Sequence, residues 1–232
     1  MNKKTADIKG NKKVRVIYSK TASHCVEPQK GFTWACPDEL PVDGGDEIVP
    51  ELKGQNSLVA FKTVSKEIHP PNAIWIATPD HPQLSRIEGE NVDLRWNPHC
   101  ISGTKGVELI DGMEPVSTYD FLVAKGFEPD LHPYSSCYHD HKKKVSTGFI
   151  EWLRVRGVQT VIVGGLATDY CVAATCRDLS SAGFQVILNL GGCRGIGMKE
   201  EIAKCLEELI RDFHIIVVDS YRDIEVTGKP VG

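Results

Sequence analysis

The stretch Thr160-Val-Ile-Val-Gly-Gly-Leu-Ala-Thr-Asp-Tyr-Cys-Val172 decides how the chain is built. Thr160 to Val163 is a short β-branched run of the kind that fills a buried parallel strand. Asp169 to Ala182 then reads as a helix ended by Gly183. A strand that turns into a helix within a few residues is half of a βαβ unit. The turn also leaves Cys171 at a helix start, where free N–H groups and the helix dipole favour a thiolate.

Working outward, the same alternation continues on both sides. Gly148 to Arg156 reads as a helix, Gln185 to Leu190 as a strand and Glu200 to Arg211 as a helix. In that last helix Ile202, Cys205, Leu206, Leu209 and Ile210 fall on one face. Ile215 to Val218 closes the series as a strand. Upstream, strands are expected at Val14 to Tyr18 (continuing irregularly through Val26), at Leu58 to Val64 and at Tyr119 to Ala124. A short helix from Glu47 to Leu52 has Asp46 as its N-cap. Strands and helices at this spacing require right-handed crossovers and a parallel sheet covered on both faces. The fold class is α/β: three layers, α/β/α, around a central, mostly parallel sheet.

Residues 66–118 break the pattern. They are irregular and rich in Pro, Asn, Asp and His, and ordered loops of that length usually carry a site. The sequence divides into a leader at 1–13, a single domain at 14–222 and a tail at 223–232. The run Gly191-Gly-Cys-Arg-Gly195 is neither a P-loop nor a dinucleotide fingerprint and reads as a strand-to-helix turn.

Of the 232 residues, 41% are hydrophobic and 25% charged, as in an ordinary soluble globular domain. The net charge of -4 argues against nucleic-acid and anionic-membrane partners, which favour basic patches. No apolar stretch approaches the ~20 residues of a membrane span. Eight scattered cysteines with no C-x-x-C pair and no signal-peptide pattern point to reduced thiols in the cytoplasm.

Cys171 has candidate company. Glu27 follows the first strand and Lys125 the third, as Cys171 follows the fourth. Functional groups in a parallel sheet gather at the carboxyl ends of its strands, so a carboxylate, an ammonium and a thiol could converge there. Glu27 lies two positions before Gln29 in Gln29-Lys-Gly-Phe32, and the chain goes on through Leu40-Pro-Val-Asp-Gly-Gly-Asp46, His69-Pro-Pro-Asn72, Trp96-Asn-Pro-His-Cys100, Gly103-Thr104, Lys125-Gly126 and Gly165-Leu-Ala-Thr-Asp-Tyr-Cys171. In that order and spacing the segments resemble the isochorismatase-like cysteine hydrolases, most closely their nicotinamidase and pyrazinamidase branch.

The resemblance implies an amidase that converts nicotinamide to nicotinate and ammonia for NAD salvage, through a Cys thioester. The nucleophile falls on Cys171, the lysine on Lys125 and the catalytic carboxylate on Glu27. The oxyanion hole falls on the N–H groups of Ala167 and Cys171, and the ring-flanking aromatics on Phe32 and Trp96. A divalent metal, zinc or else manganese or iron, would be held by Glu67, His69 and His99, with Asp80 or His81 nominated as a fourth ligand. The partner is a small-molecule amide, and a homo-oligomer is expected.

Two departures stand out, because Glu27 and Glu67 occupy positions where the family pattern has Asp. Each carboxylate is longer by one methylene, and displacements of about 1 Å in a catalytic group can cost ~100-fold in rate. Two other readings therefore accompany the first: a catalytically silent binding or assembly module, and a hydrolase of another small amide. The segment His132-Pro-Tyr-Ser-Ser-Cys-Tyr-His139 matches no standard zinc spacing and reads as a loop covering the site. Thr168 and Asp169 read as capping groups of the turn.

Overall fold

A computed structural model describes residues 13–230; the expected leader lies almost wholly outside them. Among the described residues there are eight strands: β1 (Val14–Ile17), β2 (Thr21–Val26), β3 (Phe61–Glu67), β4 (Phe121–Lys125), β5 (Thr160–Leu166), β6 (Gln185–Arg194), β7 (Ile216–Val218) and β8 (Ile224–Thr227). The helices are α1 (Val49–Asn56), α2 (Phe149–Val155), α3 (Ala173–Ser181) and α4 (Lys199–Phe213). Six strands form one sheet in the order β4-β3-β2-β5-β6-β7, and every pairing is parallel.

Alternation along the strands separates the two faces. Val161 and Val163 of β5 and Val186 and Leu188 of β6 pack into one cluster with Phe149, Leu153, Cys176, Leu179 and Leu209 of α2, α3 and α4. On the opposite face Ile162 and Ile187 join Val16 and Ile224, while Cys25 and Val64 meet Leu52 of α1 and the long β3–β4 connection. The period-2 pattern thus buries both faces, and the three-layer α/β/α architecture stands.

Several boundaries move. The first stretch is not one irregular strand: β1 lies outside the main sheet and pairs with β8, Val14 opposite Ile224, and a 3-10 turn at Tyr18–Lys20 separates it from β2. Residues 224–227, expected within a tail, are therefore a strand. The second strand runs Phe61–Glu67 rather than 58–64, so Lys66 and Glu67 end a strand instead of opening the irregular region. The stretch around Gly191 is not a turn, because β6 stays extended through Arg194. Helix α1 is preceded by a 3-10 turn at Gly45–Ile48, and Asp46 makes no capping bond.

Strand β2 is far more polar than a central strand should be, yet all six residues are buried. Hydrogen bonds account for this. The Ser23 hydroxyl donates to Asn56 Oδ1 at 2.7 Å and accepts from Gln55 Nε2 at 3.0 Å. Thr63 Oγ1 donates to the Ser23 carbonyl at 2.8 Å and lies 2.8 Å from His24 Nδ1. Paired polar groups can be buried at little cost, unpaired ones cannot.

At Gly165 (φ 142°) a Cβ would run into the Val26 carbonyl, and the β5–β6 register shifts between Val163 and Gly165. That irregularity brings β5 into the turn carrying Cys171.

Candidate active site

Four parallel strands deliver the reactive groups to one end of the sheet. Glu27 directly follows β2, Glu67 and Lys125 end β3 and β4, and Cys171 lies in a π-helical turn, Thr168–Val172, between β5 and α3. Glu27 has φ 45°, a left-handed conformation uncommon outside glycine and found where function demands a particular aim. Pro28 follows it, and the Gln29 N–H closes the bend onto the Glu27 carbonyl at 2.7 Å.

Lys125 is the hub. Its ammonium lies 3.1 Å from Glu27 Oε1, 2.6 Å from Glu67 Oε1, 2.5 Å from the Pro133 carbonyl and 3.8 Å from Cys171 Sγ. Cys171 Sγ is also 3.8 Å from Glu67 Oε1. All four side chains are buried. Two carboxylates sharing one ammonium cannot be alike in proton affinity. Burial raises the pKa of Glu27, with Lys125 opposing. Glu67 is held well below the usual carboxylate range, because Lys125 and His69 overcome the desolvation of its site. Burial works against the charge on Lys125, but Cys171, Glu27 and Glu67 outweigh it and raise its pKa.

The thiol differs from the expectation for a helix start. Burial pushes Cys171 well above the ordinary thiol range, Glu27 adds to this and Lys125 opposes it. Burial thus favours the thiol over the thiolate, and attack by sulfur calls for an acceptor for its proton. Glu27 Oε2 is buried without a hydrogen-bond partner.

Beside this trio lies a second cluster, Glu67, His69, His99 and His132, whose ligand atoms all lie within 4.8 Å of one another. His69 Nδ1 is 3.0 Å from the Gly126 carbonyl and His99 Nδ1 is 2.7 Å from the Asn97 carbonyl. A carbonyl only accepts, so both Nδ1 atoms carry hydrogen. Both Nε2 atoms lie 3.1 Å from Glu67 Oε2. Burial lowers the pKa of His69 and, further, of His132, which favours neutral rings. A neutral His69 in this tautomer aims its Nε2 lone pair at an anionic oxygen, an arrangement a divalent cation resolves. Both nitrogens of buried His132 lack any partner. The donor set of three imidazoles and one carboxylate, with carbonyls fixing the tautomers, fits a divalent metal such as zinc.

The nominated fourth ligands, Asp80 and His81, are both exposed and lie outside the cluster; His132 takes that place. The segment from 132 to 139 holds no second metal cluster among the described residues, and instead contributes one histidine to the first. Gly126 is needed for this packing, since a Cβ there would strike the His69 ring. Trp75, also unforeseen, packs edge-on against His69 and His132 at 4.7 and 4.5 Å between centroids.

A narrow pocket opens onto both groups; its empty space, open mouth included, is about 250 Å³, and only about 20 Å³ of it is room for the centres of water-sized spheres. Phe32 and Trp96 line it, as does Ala167 beside Cys171, together with Leu40, Tyr134, Tyr170 and Ile196. Gln29 sets the height of Glu67: its amide donates to the Glu67 carbonyl at 2.8 Å and accepts from the Glu67 N–H at 2.7 Å. The Asp169 carboxylate is not a helix cap; it accepts from the N–H groups of Ile196 and Gly197 at 3.0 and 2.8 Å.

A family model described as an isochorismatase domain matches residues 25–201. The chain belongs to the isochorismatase family. Among its curated relatives in that family, the nicotinamidase of Acinetobacter baylyi is 29% identical over 201 residues, covering 82% of this chain and 91% of the relative. A solved nicotinamidase and pyrazinamidase of Acinetobacter baumanii matches with a TM-score of 0.80 at 26% identity, over 88% of this chain and 98% of the other. A Pyrococcus horikoshii pyrazinamidase, solved in complex with zinc, matches with a TM-score of 0.67 at 27% identity, over 86% and 98%. Within the isochorismatase family the chain falls in the nicotinamidase and pyrazinamidase branch, and it is an amide hydrolase.

Proposed function

We propose that this protein hydrolyses nicotinamide to nicotinate and ammonia, with Cys171 as nucleophile. The observation carrying this reading is a buried thiol 3.8 Å from a lysine ammonium that two carboxylates share, at the floor of a pocket walled by Phe32 and Trp96. The pocket's narrow aromatic form suits a flat ring.

In this reading Glu27, with its raised proton affinity, takes the thiol proton as sulfur attacks the carboxamide carbon. It passes that proton to departing ammonia, then activates water against the thioester. Lys125 holds Glu27 and Cys171 together and offsets the charge that develops between them. The N–H groups of Ala167 and Cys171 donate to the oxyanion, worth roughly 3–4 kcal/mol for an important donor. Glu67, His69, His99 and His132 hold a divalent metal, zinc in the first instance, and Asp80 and His81 do not. When bound, such an ion supplies a Lewis-acid anchor for the ring nitrogen of the substrate.

The longer carboxylates at 27 and 67 do not disperse the site, since both reach Lys125 within hydrogen-bonding distance. That favours a working enzyme over a silent module. Ammonia release from nicotinamide by protein loaded with zinc, manganese or iron tests the proposal. No release with any metal, while nicotinate still binds, would establish the silent module. A panel of other small amides separates nicotinamide from a different substrate. The same reading carries a role in NAD salvage in the cytoplasm and a homo-oligomer, to be checked by fractionation and sedimentation. Among the described residues, no helix is long and apolar enough to cross a membrane.

A further inference from the structure

We infer that Asp169 is a positioning residue: its carboxylate latches the loop after β6 onto the nucleophile turn and so places Ile196 as a wall of the substrate pocket. The inference rests on the nicotinamide reading of that pocket. Asp169 lies two residues before Cys171, and each of its oxygens accepts one backbone N–H, from Ile196 at 3.0 Å and Gly197 at 2.8 Å. Ile196, held by these anchors, lines the same pocket as Cys171.

The loop is shaped for this carboxylate. A Cβ on Gly197 would lie 2.8 Å from Asp169 Oδ2, and one on Gly195 would meet Ile202 Cδ1 at 2.5 Å and Asp169 Oδ1 at 3.0 Å; side chains at either place would crowd the latch. The ends of the loop have their own anchors. Upstream, Arg194 pairs with Glu47 at 3.0 Å. Downstream, Glu201 accepts from the Met198 N–H at 3.0 Å and caps α4. Only the middle, the part that faces the substrate, depends on Asp169. Charge-assisted bonds to two consecutive N–H groups fix both the height and the tilt of the peptide. The wall and the nucleophile therefore move as one body, and the width available to a ring is set from the turn that carries the sulfur.

The test is a two-residue cycle with Asp169→Ala, Ile196→Ala and the double variant, assayed in zinc-loaded protein with nicotinamide and with a wider bicyclic amide, quinoline-3-carboxamide. Either single change should raise KM for nicotinamide about tenfold with kcat within about threefold, the pattern of lost uniform binding. Preference should shift toward the bicyclic amide. The double variant should be no worse than either single one, because both remove the same wall. Asp169→Asn, which keeps one accepting oxygen, should fall between wild type and Asp169→Ala; it decides the question if Asp169→Ala does not fold. Wild-type KM and selectivity in these Asp169 variants would overturn the inference. So would additive effects, or a fall in kcat at unchanged KM, which would place Asp169 in support of the sulfur alone. A wild-type protein that fails to turn over nicotinamide instead sinks the functional proposal, a separate outcome.

Discussion

Glu67 and Lys125 meet at 2.6 Å inside the protein, and through that contact one carboxylate belongs to two sites. Its Oε1 faces the ammonium and the Cys171 sulfur, while Oε2 faces the histidine cluster. The two oxygens of a single carboxylate thus join the ammonium to the histidines.

Lys125→Met leaves two buried carboxylates without their cation. Removing one partner of a buried ion pair costs about 3–5 kcal/mol, so urea unfolding should show a loss of that size. Turnover should fall below detection, whereas unchanged unfolding would mean that water reaches the pair.

Glu27→Gln keeps the shape and removes the proton acceptor. General-base loss costs typically 10²–10⁴-fold, and kcat for ammonia release should drop within that range while nicotinate still binds. A variant with wild-type kcat would assign proton transfer to another group, Glu67 being the nearest.

His132→Ala and His81→Ala separate the cluster from the sequence-based nomination. Zinc affinity measured by competition with a chelator should weaken at least tenfold for His132→Ala and stay unchanged for His81→Ala. Stripping the metal from the parent should lower its thermal midpoint, because an ion bound only by the folded state stabilises it.

Acid stability offers a probe away from the chemistry. Burial lowers the pKa of His24 from 6.5 to about 3. The unfolded chain thus takes up this proton first as pH falls. The contribution of neutral His24 is complete above pH 6.5 and is lost progressively toward pH 3. His24→Gln should flatten the dependence of unfolding free energy on pH across that window relative to the parent. Parallel curves would show that His24 is solvated. Buried His69 and His132 act in the same sense, so the difference between the two proteins is the informative quantity.

The α/β class was legible because β5, β6 and α4 carry clean periods, and their expected spans agree to within a few residues. The first strand was harder to read. Ser23 and His24 look like surface residues until Gln55, Asn56 and Thr63, distant in sequence, are seen to bond the Ser23 hydroxyl and His24 Nδ1. Glu27, Lys125 and Cys171 could be nominated from strand ends alone, since parallel strands fix where such ends gather. His132 could not. It arrives from the connection between β4 and α2, and no local spacing links it to Glu67, His69 or His99. Asp169 looked like a cap because a short carboxylate at a helix start usually is one. Here the turn's own geometry leaves it free to bind the neighbouring loop.

The adjacency of β2 and β5 has a consequence for how the chain acquires activity. These neighbours pair Thr21 with Thr160 and Val26 with Gly165, across well over a hundred intervening residues. Contacts so remote in sequence carry a loop-closure penalty before they yield any stabilisation, which slows folding. A ribosome must therefore release most of the polypeptide before Glu27 and Cys171 can meet, and an early truncation would leave a partial sheet with no chemistry at all.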